Sequence, residues 1–94
     1  MAAIIKYLKG RDMDSNHSIS LAIRVRLLRI GKTQEEVATE AGINPTQFGK
    51  YLNCQVGWKV DVLERIAEPL EWASVADITN AAQTERDEHM KLAA

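Results

Sequence analysis

Two helix-start signals stand close together on either side of one glycine, and that spacing limits the fold more than any other feature of the chain. Thr33-Gln34-Glu35-Glu36 is a capping box, in which the Thr33 hydroxyl can accept from the Glu36 amide while the Glu36 side chain reaches back to the Thr33 amide. Asn44-Pro45-Thr46-Gln47 repeats the logic. Asn44 is the cap, Pro45 takes the first helical position, where its missing N–H costs nothing, and Gln47 takes the box position. Gly42 lies between them, where a left-handed residue turns the chain without Cβ strain. Two short helices must therefore meet at a tight corner. Helices crossing at close range need a small residue at the contact and apolar residues that lock both onto one core. Ala38 supplies the first; Val37, Ala41, Ile43, Phe48 and Tyr51 supply the second.

The rest of the chain reads the same way. Prolines occur only at 45 and 69 and glycines only at 10, 31, 42, 49 and 57, and the apolar residues between them recur at helical spacing, which predicts an all-α fold of about five helices. Ser18 is expected to cap a first helix with Ala22, Ile23, Leu27 and Ile30 on its inner face, ended by Gly31. Arg24, Arg26 and Arg29 fall on its other faces and read singly as solvated charges. After a loop over Cys54 to Gly57, the residues Val60, Leu63, Ile66 and Ala67 define a fourth helix that Pro69 should end or kink. Ser74-Val75-Ala76-Asp77 resembles another start, predicting a fifth helix over 75 to about 90. Its apolar face, Val75, Ile78 and Ala82, is thin enough that the helix is expected to lean on a partner or fray. The apolar run Ala3 to Leu8 precedes a turn-prone stretch, and periodicity leaves strand and helix open there.

Several function classes fall away. A chain of 94 residues closes one hydrophobic core. Cys54 is the single cysteine, and with only His17 and His89 beside it there is neither a disulfide framework within the chain nor metal-ligand spacing, so no metal and no cofactor are expected. The scattered acids form no general acid and base pair at defined spacing, and no enzyme is expected. Lys6 and Lys9 interrupt the first apolar stretch and no long apolar run follows, which predicts no membrane span, no secretory signal and a reducing cytoplasm. The net charge of −1 hides an asymmetry. Residues 21–60 hold Arg24, Arg26, Arg29, Lys32, Lys50 and Lys59 against Glu35, Glu36 and Glu40, whereas 61–94 hold eight acids against Arg65, Arg86 and Lys91. One polyanion-facing side and ordinary solvated faces both fit this pattern.

The stretch from Thr33 to Asn53 resembles the helix-turn-helix of the lambda-repressor, Cro and XRE family of phage transcription regulators. Thr33-Gln34 opens the motif, Ala38 is its small residue, Gly42-Ile43 its turn, and Asn44 to Asn53 its recognition helix. The likeness covers roughly residues 19 to 70, with Leu63, Ile66-Ala67 and Leu70 similar to the family's closing helix. It implies a cytoplasmic regulator that puts helix 3 into the major groove of a double-stranded DNA operator. Thr46, Gln47 and Lys50 would then contact bases, and Lys32, Thr33, Gln34, Asn44 and Asn53 phosphates. The motif core would be Val37, Ala38, Gly42, Ile43, Phe48 and Tyr51.

The resemblance also implies an organisation: residues 1–17 an N-terminal arm, 18–72 the DNA-binding domain, 73–94 a C-terminal oligomerisation helix. One recognition helix reads few base pairs, so a homodimer is expected, through helix 5, the Trp72 region and the Ile4 to Leu8 arm. The chain departs from the pattern at Pro45, where relatives often contact bases, at Cys54, where glycine is common, and at Leu52, where Glu is common. Gly49 weakens the recognition helix by about 1 kcal/mol relative to Ala. Gly42-Ile43-Asn44, Thr46-Gln47, Trp58-Lys59 and Leu70-Glu71-Trp72 more loosely resemble the lambda CII class of activators, which would imply a tetramer on direct repeats beside RNA polymerase. An antitoxin that holds a toxin, and a protein-interaction module, use the same core and stay open. Trp58 and Trp72 are expected in core or oligomer contacts, Cys54 as a small, partly buried residue, and His17 and His89 at the surface.

Overall fold

The computed structural model describes residues 14–93. Among them are five helices and no strand: α1 Ser15–Ile30, α2 Gln34–Ala41, α3 Pro45–Leu52, α4 Val60–Ala67 and α5 Val75–Ala93. None is long and apolar enough to cross a membrane.

The first four helices are closed by one device, a left-handed residue followed by a bond back across the last turn. Gly31 (φ 70°) and Gly42 (φ 71°) occupy that position after α1 and α2, and Cys54 (φ 59°) and Glu71 (φ 62°) after α3 and α4. The next amide then reaches back to the helix: Lys32 to the Leu27 carbonyl at 3.1 Å, Ile43 to Ala38 at 2.8 Å, Gln55 to Lys50 at 2.9 Å, Trp72 to Ala67 at 2.9 Å. These are Schellman closures, which satisfy carbonyls that a helix end leaves without partners. They also let five helices fold back on one another within a short chain.

One core results. Phe48, Ile23, Ile66, Leu70, Ile78 and Val37 are fully buried within it, and α1 contributes Ile19, Ala22, Ile23 and Leu27 to it. α3 packs on α1 and α2, α4 packs on α2, and α5 lies mainly along α1 with α4 as its second neighbour. The thin apolar face of α5 is covered by its own chain: Ile78 and Ala82 are buried, and Val75 and Ala81 pack against the core.

Local starts differ from the sequence expectation at three places. α1 begins at Ser15, because Asp14 accepts from the His17 amide at 2.9 Å and takes the cap that Ser18 was expected to hold. Ser18 is instead buried in the first turn, its hydroxyl donating to the Asp14 and Ser15 carbonyls. In α4, Val60 is 64% exposed, since as the first helical residue it stands at the helix end, at the margin of the face formed by Val62, Leu63, Ile66 and Ala67. At the start of α5 the Asp77 carboxylate reaches back past Ser74 to the Ala73 amide at 2.8 Å. The apolar run Ala3 to Leu8 lies outside the described residues.

Candidate nucleic-acid interface

The corner between α2 and α3 is built from the residues that announced it. The Thr33 hydroxyl accepts from the Glu36 amide and the Glu36 carboxylate from the Thr33 amide, each at 3.1 Å. Asn44 Oδ1 accepts from the amides of Thr46 at 2.9 Å and Gln47 at 3.3 Å, with Pro45 at the first turn. Val37, Ala38, Phe48 and Tyr51 are buried, Ile43 packs against the core, and Gly42 makes the turn. Leu52 is 2% exposed and belongs to the core.

With Phe48, Tyr51 and Leu52 turned inward, the opposite side of α3 is settled by helical geometry. Thr46, Lys50 and Asn53, spaced four and three residues apart, share one exposed face, and Gln47 is half-buried beside it. This face carries hydroxyl, amide and ammonium groups and no acid. At the start of α2, Gln34 is exposed in the first turn, next to backbone amides at the positive end of the helix. The structure thus brings Thr46, Lys50 and Asn53 together on one stripe and keeps Gln34, Thr33 and Asn44 exposed at two helix amino ends.

Lys32 is placed differently. Its ammonium donates to the Pro69 carbonyl at 2.8 Å and pairs with Glu40 at 3.0 Å, so it ties the start of α2 to the end of α4. Two arginines of α1 do similar work. Arg24 donates to the Leu52 carbonyl at 3.3 Å and to Asn53 Oδ1 at 2.7 Å. Arg26 donates to the Leu70 and Glu71 carbonyls at 2.8 Å each, and its guanidinium lies 5.1 Å from the centre of the Trp72 ring. Three of the six bases that made residues 21–60 look basic therefore sit at helix carboxyl ends, where positive charge meets carbonyl dipoles. Reading Arg24 and Arg26 as solvated charges missed this, because each contact spans a large sequence separation and leaves no local signal.

Behind α3, the loop after Asn53 is held by aromatics and polar bonds. Trp58 stacks on Tyr51 with ring centres 5.1 Å apart and meets Phe48 edge-on at 6.1 Å. Its indole N–H donates to Ser20 Oγ at 2.9 Å, and that hydroxyl in turn donates to the Tyr51 carbonyl at 3.1 Å. Asn16 holds the Trp58 amide at 3.0 Å. Cys54 is partly buried with its sulfur 3.4 Å from Ser20 Oγ, and its backbone is left-handed, a conformation that glycine adopts without strain.

No family model matches the chain, and no curated protein matches its sequence. Among solved structures it is similar to the clp gene regulator ClgR from Corynebacterium glutamicum, with a TM-score of 0.76 and 17% sequence identity, over 86% of this chain and 85% of that one. At this identity the likeness is one of fold. The described residues form an all-α helix-turn-helix bundle of five helices, a fold this chain shares with that gene regulator.

Proposed function

We propose that this protein is a sequence-specific, double-stranded DNA-binding transcription regulator of the lambda-repressor, Cro and XRE type, from a phage or mobile element. The observation that carries the reading is the exposed stripe of Thr46 and Lys50 on α3 and Asn53 at its carboxyl cap, free of acids and directly opposite the buried Phe48, Tyr51 and Leu52. A helix held so by its inner face can enter a major groove without disturbing the core. Thr46, Gln47 and Lys50 contact base edges in this reading. Gln34, Thr33, Asn44 and Asn53 contact phosphates, and Lys32 steadies the start of α2 through Glu40 and Pro69. That the fold neighbour is a gene regulator supports the same reading.

The regulator acts as a homodimer and represses, with no catalysis and no cofactor. Two half-sites are required because one short recognition helix reads only a few base pairs. Trp72 lies under Arg26 and the inner face of α5 is covered by α1, so a dimer contact on α5 uses the outer face of that helix.

Selection of random duplex DNA by the purified protein at near-physiological salt tests the reading. Enrichment of an inverted repeat is the expected outcome. A direct repeat moves the protein to the CII-like activator class, and no enrichment by folded protein moves it to an antitoxin or interaction module that needs its partner.

A further inference from the structure

Arg24 belongs to α1, outside the helix-turn-helix, yet its guanidinium ends at the carboxyl end of α3. Nη2 donates to the Leu52 carbonyl at 3.3 Å and to Asn53 Oδ1 at 2.7 Å. A guanidinium has donors only, so the second bond settles which way the Asn53 amide faces. Its oxygen is turned to Arg24, and its NH2 group, with two donors, is turned away on a residue that is itself exposed. Asn53 shares its exposed face with Lys50 one turn earlier.

A helix carboxyl end is ordinarily a poor place for an anion, because its free carbonyls carry the negative end of the dipole. Here Arg24 covers the Leu52 carbonyl and adds a full positive charge beside it. Its Nε and Nη1 donors remain in addition to the two bonds made by Nη2. We propose that Arg24 and Asn53 form a clamp for one phosphodiester of a DNA backbone, with Asn53 Nδ2 and the Arg24 guanidinium as donors and Arg24 also setting the Asn53 amide. The clamp rests on the duplex-DNA reading above and extends the contact surface from the motif onto α1.

The test is anisotropy titration of the full chain with a labelled mixed-sequence duplex of about 20 base pairs, two helical turns, at several salt concentrations. The slope of log K against log salt counts the phosphates neutralised, at about 0.9 each. Arg24→Gln is expected to make the slope shallower by about 0.9, so that between about 50 and 200 mM salt it loses roughly three- to fourfold less affinity than the wild type. Arg24→Lys, which keeps the charge, is expected to keep the slope. Asn53→Asp retains a partner for Arg24 but replaces the donor by a second acceptor, and is expected to bind more weakly at every salt concentration.

A folded Arg24→Gln protein with the wild-type slope overturns the clamp. Should that variant fail to melt cooperatively, Asn53→Asp decides, and wild-type affinity in it overturns the clamp equally. A wild-type chain that binds no duplex at low salt removes the duplex reading and the clamp together, an outcome distinct from binding with an unchanged slope.

Discussion

The amide of Ile43 donates across 2.8 Å to the carbonyl of Ala38, and this bond closes α2 at the corner from which α3 leaves. It forms because Gly42 between them is left-handed, at φ 71°. The same closure recurs at Gly31, Cys54 and Glu71, so that glycine, cysteine and glutamate share one backbone conformation at the four sites. No neighbouring atom lies within 4 Å of where a Gly42 Cβ would stand, so the cost of a side chain there is conformational. Gly42→Ala is therefore expected to lose about 1 kcal/mol of stability in urea denaturation, since the left-handed region disfavours a Cβ.

Glu71 provides the reciprocal case. It is exposed, and the contact it contributes to Arg26 is made by its backbone carbonyl, which glycine retains. Glu71→Gly is expected to stabilise the protein by about 0.5–1 kcal/mol, as relief of left-handed strain exceeds the added entropy of the unfolded chain. Cys54→Gly should gain less, because the Cys54 sulfur touches Ser20. A melting temperature that falls in Glu71→Gly would contradict the strain argument.

Ser20 links three elements through one hydroxyl. Replacing it by Ala leaves the Trp58 indole N–H without this partner, while the Tyr51 carbonyl keeps the Cys54 amide at 3.0 Å. A stability loss of about 1–3 kcal/mol is expected, the usual cost of an unsatisfied buried polar group. Trp58 emission reports on the same site directly, and an unchanged spectrum with unchanged stability would show that the bond carries no weight.

Asp14 predicts a pH effect of defined sign. The His17 amide, and then the His17 ring at 2.9 Å, hold its carboxyl below the ordinary carboxylate range. A carboxyl with a lowered folded-state pKa stabilises the fold above its unfolded value, and that contribution is lost as pH falls through the folded value. Asp14→Ala is expected to cost about 1 kcal/mol at neutral pH through loss of the cap, discounted for its exposure. The difference from wild type should close below about pH 4, whereas Asp14→Asn, which can still cap, should stay near wild type at pH 7. Denaturant midpoints taken across that range distinguish the two.

In the proposed DNA complex, Thr46→Ala and Gln47→Ala should each weaken binding to the selected site by roughly 1–3 kcal/mol with the fold intact. Gln34→Ala should weaken selected and mixed-sequence duplexes about equally, because a phosphate contact carries no base information. Loss of affinity for one sequence alone in Gln34→Ala would reassign that residue to base reading.

The parts of this fold legible in the sequence are those whose causes lie within a few residues. The Thr33–Glu36 box, the Asn44-Pro45 start, the turns at Gly31 and Gly42 and the inward face of α3 all rest on bonds between near neighbours, and each stands where the residues placed it. At Cys54, which the family resemblance marked as a departure from glycine, the backbone is left-handed. Glu71, left-handed without being Gly or Asn, had no such marker.

Tertiary structure decided where the long side chains go and which faces are covered. Arg24, Arg26 and Lys32 look alike in sequence as surface charge, but helix ends brought in from distant positions offer them carbonyls, and a guanidinium or ammonium beside a helix carboxyl end is favoured over one in open water. The thin face of α5 likewise needs no second chain, because α1 supplies the apolar surface that the helix lacks. Local hydrogen-bonding and backbone sterics act over a few residues and so are written in the sequence; charge placement and burial depend on neighbours that exist only once the chain has closed on itself.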